Sequence, residues 1–239
     1  MPNNLAHRLS KWLVPLAAII VFSGWFMFAP PGLLGKADAV GYAVCHRIDA
    51  RSFQLPGDHD HPDGRQTPLC ARCSGMYLGA VLGLAYQSIT APRRGGMPGK
   101  WAILPLILLA GSFALDGANS YLTLLKSTYP GFLPQIPTLY TPNNTLRLFT
   151  GAGMGLGIAA ALYPSFNQSV WRDWDPRPAL GDAKPVGIMA ALMVLVNLLV
   201  LTEHPLVLYP AAVISAGGVL LLLTMVYAIV WIMVMQMEN

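Results

Sequence analysis

Long apolar runs separated by short polar breaks dominate this chain, and the runs outlast the strands and one-sided helices of a water-soluble domain. Six of them predict membrane-spanning helices, over residues 12–34, 68–89, 101–125, 146–163, 186–202 and 206–235. Each is close to the ~20 apolar residues that cross the ~30 Å hydrocarbon layer of a bilayer. The first run follows His7, Arg8 and Lys11 and precedes the small-residue pattern Ala37-Asp38-Ala39, so a cleaved signal peptide is its rival reading. Its length exceeds the usual apolar stretch of about 7–15 residues, which favours an uncleaved span. Residues 35–67 read as a long polar loop. The expected fold class is therefore all-α: one membrane domain over residues 1–239, a polytopic bundle of six transmembrane helices.

Composition agrees with that pattern. The 239 residues are 54% hydrophobic and 11% charged, against about 25% charged in a typical soluble domain. The mean hydropathy is +0.51. Lipid is the expected solvent, and the bilayer of the cytoplasmic membrane the expected partner. The net charge of +4 raises nucleic acid as a partner. The basic residues flank apolar segments and form no run or stripe, which excludes that reading.

Orientation follows from the placement of Lys and Arg. With the N-terminus inside, the inner segments carry Arg8, Lys11, Arg93, Arg94, Lys100, Arg172, Arg177 and Lys184. The outer segments carry Lys36, Arg47, Arg51, Arg65, Arg72, Lys126 and Arg147. The inner excess gives N-in and C-in, with 35–67 as the first extracytoplasmic loop. Glycines predict close helix contacts: Gly75, Gly79 and Gly83 recur every fourth residue, and Gly151/Gly155 overlaps Gly153/Gly157. A phosphate-binding loop at Gly151 to Gly157 is rejected, because no strand precedes it and it lies inside an apolar span.

The segment Thr67-Pro-Leu-Cys-Ala-Arg-Cys-Ser-Gly holds the most specific chemistry. Thr67 is expected to cap a helix with Pro68 in its first position. Cys70 and Cys73, three apart, then share a helix face close to the N-terminus, where free N–H groups favour thiolates. Upstream stands Cys45-His46-Arg47. Cys45, His46, Cys70 and Cys73 make a three-cysteine, one-histidine set suited to tetrahedral zinc. Cys45 and His46 are adjacent, so the segment must bend for both to ligate. A dithiol–disulfide pair and simple packing of thiols are the other two readings of the same residues, and an odd cysteine count implies no complete disulfide framework. The Asp58-His59-Asp60-His61 stretch with Asp63 reads as a solvated acidic turn.

Charges at membrane depth add a second group. Asp116 and Asn119 lie one turn apart in the third span, where a carboxylate must face protein, water or a cation. Asn143, Asn144 and Arg147 open the fourth span, and Glu203 and His204 close the fifth. Alternating helix direction collects the cysteines, Arg72, Asn144, Arg147, Glu203 and His204 near one face, with Asp116 and Asn119 somewhat deeper. Asp116, Arg147 and Glu203 are the candidate catalytic residues of an adjoining polar pocket.

Cys45-His46-Arg47 with Arg51-Ser52, then Pro68-Leu-Cys-Ala-Arg-Cys-Ser-Gly-Met-Tyr-Leu-Gly79, Asp116-Gly117, and Asn144 with Leu146-Arg147 and a glycine-rich span form a series. That series resembles the prokaryotic integral membrane proteins catalogued as domain of unknown function 2085, over roughly residues 45–157. The resemblance implies a small multi-span membrane protein and brings no activity with it. The stretch from His59 to Asp63 looks like a longer polar insert than the motif requires. Three function classes follow: a membrane protein with a zinc site at its extracytoplasmic face, a membrane thiol–disulfide oxidoreductase using Cys70 and Cys73, and a non-catalytic subunit of a membrane complex or small transporter.

Overall fold

A computed structural model describes residues 4–45, 52–56, 63–129, 131 and 135–234, the first eight of these as backbone alone. The protein is 74% helical. Its elements are α1 (Asn4–Phe28), α2 (Gly32–Val44), β1 (Gln54–Leu55), β2 (Arg65–Gln66), α3 (Ala71–Thr90), β3 (Arg94–Gly96), α4 (Lys100–Thr128), α5 (Asn144–Val170), β4 (Asp175–Pro178), α6 (Ala183–Val200) and α7 (Pro205–Val234).

Among the described residues, four helices are long and apolar enough to cross a membrane: α4, α5, α6 and α7. A fifth candidate is the α1–α2 pair, if its two arms make one span. Four or five of the six expected spans thus meet the test of length and apolarity. The first apolar run does not continue through residue 34. It breaks after Phe28 at Pro30 and Pro31, and the chain turns by 119° into α2. Proline removes a helical N–H and clashes with the preceding turn, so two in succession end α1. Helix α2 occupies a stretch expected to be loop. Its inward face is Ala37, Val40 and Gly41, Gly35 packs against Pro30 at the bend, and Ala37 and Val40 join a buried cluster with Ala216 and Val219 of α7. The expected second span appears as α3, whose Arg72, Gln87, glycines and serines keep it outside the apolar class that the other four reach.

The most extensive contact in the protein is between α3 and α5, and glycine makes it possible. A Cβ at Gly75 would overlap the Leu148 carbonyl, one at Gly79 the Ala152 carbonyl, and one at Gly151 the Arg72 carbonyl. At Gly155 it would overlap the Met76 carbonyl and stand 2.7 Å from the Ala80 nitrogen. These pairings advance together along both helices, so α3 and α5 run parallel with their backbones touching. Gly153 faces Leu109 of α4, and Gly157 faces open space. The two overlapping glycine patterns of α5 thus serve different neighbours.

The antiparallel pair β1–β2 and the parallel pair β3–β4 tie the loops at opposite ends of the bundle. Arg65 on β2 pairs with Asp38 on α2, which fixes the first loop to the bent helix. Phe53 and Leu55 enter the main core beside Leu208 of α7. Gly155→Ala should therefore destabilise the folded protein by about 1–3 kcal/mol, the usual cost of forcing atoms into a packed contact. Gly157→Ala should be neutral or slightly stabilising, and unfolding of both variants in detergent micelles measures the difference.

Candidate metal centre and its polar neighbour

Helix α3 begins three residues later than the sequence predicts. Its N-cap is Cys70, not Thr67, and the Thr67 hydroxyl instead donates to the Leu69 carbonyl at 2.9 Å. Cys70 therefore stands at the N-cap and Cys73 at the third helical position. That spacing is the one at which N-cap and helix side chains reach each other. The C-cap of α2 is Cys45, so the end of one helix meets the start of another. The backbone N–H of Cys70 points at Cys45 Sγ, 3.4 Å away. Gly41 lets the two segments close up, since a Cβ there would overlap the Pro68 carbonyl.

The outcome is a compact group of three free thiols. The Sγ atoms of Cys45, Cys70 and Cys73 all lie within 4.8 Å of one another. Cys45 is buried and the other two are half-buried. Sulfurs bound at about 2.3 Å around one tetrahedral zinc lie about 3.8 Å apart, so this spacing is compatible with a shared metal ion. His46 lies outside the described residues, as do Asp58, His59, Asp60 and His61.

The group is set well inside the bundle. Cys45 and Leu69 share their buried cluster with Ala216 and Val219, and Tyr77 and Trp25 pack against it. Counted from Pro205, those α7 residues lie about 17–21 Å along the helix at about 1.5 Å per residue. The sequence placed Asp116 somewhat deeper than the cysteines, and α3 joins the two groups. Arg72, between the two cysteines of α3, reaches Asp116 directly.

That ion pair is the centre of a second polar group. Arg72 Nε donates to Asp116 Oδ2 at 3.1 Å, and Nη2 donates to the same oxygen. Nη2 also donates to the Asp116 carbonyl at 3.2 Å and to Ser120 Oγ at 2.9 Å. The Tyr140 hydroxyl donates to Asp116 Oδ1 at 2.7 Å, and Thr150 Oγ1 lies 3.3 Å from Oδ2 while donating to the Leu146 carbonyl at 2.8 Å. Asn119 holds the incoming loop, donating to the Tyr140 carbonyl at 2.9 Å and accepting from Leu139 N–H at 2.8 Å. The Tyr140 phenol is pushed up to about 12, by burial first and then by its bond to Asp116. Asp116 itself is 1% exposed. A carboxylate so buried requires its cation and its hydrogen-bond donors.

The expected polar pocket of Asp116, Arg147 and Glu203 takes a different form. Arg147 is buried in the first turns of α5 and donates to Asn144 Oδ1 at 3.1 Å. Glu203 is exposed at the break between α6 and α7, with φ +53°. Asp116 is instead surrounded by Arg72, Ser120, Tyr140 and Thr150. A helical turn of 100° per residue forces Arg72 to face away from its flanking cysteines, which was the one sequence signal for this partner. Tyr140 sits in an aperiodic, proline-rich connection that offered none.

With this geometry in hand, comparison with known proteins is direct. Residues 45–161 match the model of the family DUF2085, described as predicted membrane proteins. The segment begins at Cys45 and includes all three cysteines and Asp116, while α1, α2 and Glu203 lie outside it. An uncharacterized protein of Methanocaldococcus jannaschii is 25% identical over 135 residues, covering 56% of this chain and 70% of the relative. An uncharacterized protein of Methanothermobacter thermautotrophicus is 28% identical over 120 residues, covering 48% of this chain and 81% of the relative. No solved structure matches significantly.

Removing one partner of the buried pair leaves the other charge uncompensated. Arg72→Gln or Asp116→Asn should each cost about 3–5 kcal/mol. The double variant Arg72→Met/Asp116→Leu should recover most of that loss, and a double-mutant cycle on unfolding in detergent reads the coupling.

Proposed function

We propose that this is a metal-binding membrane protein whose centre is formed by Cys45, Cys70 and Cys73, with zinc as the ion and His46 as the fourth ligand. The observation that supports this most is the mutual approach of three free thiols within 4.8 Å. Thiolates suit zinc and other soft ions, and three of them with one imidazole form a closed tetrahedral set. In that state the ion is structural. It clamps the end of α2 to the start of α3, and so fixes the first loop to the bundle. The N–H groups at the start of α3 and the positive end of its dipole favour the anionic thiolates such a set needs.

The membrane arrangement completes the proposal. Six helices cross the cytoplasmic membrane, α1 and α3 to α7, with both termini inside. Helix α3 is about 30 Å long at about 1.5 Å per residue, which suffices to span. It runs parallel to α5, as alternating passes require. Helix α2 is a re-entrant arm, entering beside α7 and stopping at Cys45. Irregular backbone at such depth is tolerated where protein buries it, and the packing of Leu69 and Cys45 meets that condition. The end of the bundle bearing Arg93, Arg94, Lys100, Arg172, Arg177 and Lys184 faces the cytoplasm.

Protein purified under reducing conditions should carry about one zinc per chain by elemental analysis. Cys45→Ser, Cys70→Ser and Cys73→Ser should each lose most of it. Metal-free protein that instead cycles reversibly between a Cys70–Cys73 disulfide and free thiols would assign the site to redox chemistry.

A further inference from the structure

At the opposite end of the bundle from the cysteines, α7 leaves α3 and α5 and opens a groove of about 450 Å³. Its walls are apolar, built from Val81 and Leu84 of α3, Phe166 of α5, and Leu221 and Met225 of α7. Arg93 and Trp171 stand at its rim. The Arg93 guanidinium lies over the Trp171 ring, 4.8 Å from its centre.

Two further observations single out Arg93. Its φ is +56°, a left-handed conformation that glycine adopts freely and that costs a bulky residue energy. Such strain persists where the surroundings impose it, and it concentrates at ligand clamps. Here the surroundings are the β3–β4 pairing, in which Asp175 N–H donates to the Arg93 carbonyl at 2.9 Å. Secondly, Arg94 and Arg177 share the Asp175 carboxylate, whereas no ion pair among the described residues involves Arg93. A fixed cation without a carboxylate, seated on an aromatic ring at the mouth of an apolar groove, is complementary to an amphiphile with an anionic head.

We infer that this groove holds an anionic membrane phospholipid, its acyl chain along α3 and α7 and its phosphate on Arg93. The bilayer supplies that ligand at high local concentration, and basic pockets between helices at one membrane surface suit such headgroups. The site is independent of the thiol centre and stands whether or not those cysteines bind metal.

The test is native mass spectrometry of the full chain released from vesicles of equimolar phosphatidylglycerol and phosphatidylcholine. The wild type should retain phosphatidylglycerol over phosphatidylcholine by about fivefold, the ratio one arginine near a charged surface supplies. Arg93→Gln should abolish the preference. Arg93→Gly should abolish it too while folding at least as stably, because glycine relieves the backbone strain. Ala85→Trp, placed in the groove from an exposed position, should reduce retention of both lipids. Equal retention of the two lipids by wild type, or an undiminished preference in either Arg93 variant, would overturn the assignment. So would unchanged retention in Ala85→Trp.

Discussion

The contact between the backbones of α3 and α5 is the constraint from which the rest of the molecule follows. In lipid, two helices gain little from hiding apolar surface against each other, so close packing must hold them. Gly75 and Gly79 on one helix and Gly151 and Gly155 on the other let carbonyl groups of each lie where a side chain would stand. This contact fixes where the first turn of α3 sits. Cys70, Arg72 and Cys73 are all in or beside that turn, so its position sets both polar groups at once. On one side the thiols meet the end of α2. On the other, Arg72 crosses to Asp116 on α4, and Thr150 of α5 lies beside the carboxylate.

The two groups manage charge at depth in different ways. Arg72 and Asp116 neutralise each other within a web of hydroxyl donors, a fully satisfied network that holds α4 and the loop at Tyr140 against α3. Three thiols have no such internal partner. Left protonated they are small apolar side chains; ionised they need a cation. Their convergence at two helix ends, with a backbone N–H directed at Cys45 Sγ, is compatible with the second state. Leu69 shares the buried cluster of Cys45, and Tyr77 and Trp25 pack against it.

Much of this was legible from the chain, and the failures have physical causes. The glycine spacing announced close helix contacts for α3 and for α5, because only glycine permits carbonyls to lie so close, but it did not say that the two meet each other. The cysteine spacing announced two thiols on one face. Helix α2 was missed because Lys36 and Asp38 interrupt its hydropathy, although Ala37, Val40 and Gly41 recur at helical spacing along one side. Asp116 was recognised as a buried acid, but its surroundings were misassigned, since pairing across 44 residues has no local trace. Two prolines at 30 and 31 marked the bend after α1, yet a continuous apolar run concealed it.

The central claim is that three sulfurs from two helix ends share one ion. X-ray absorption at the metal edge of the purified protein addresses this most directly. The account predicts three sulfurs at about 2.3 Å and one nitrogen at about 2.0–2.1 Å around zinc. A shell made only of oxygen and nitrogen, or the absence of any stoichiometric metal under reducing conditions, would contradict it.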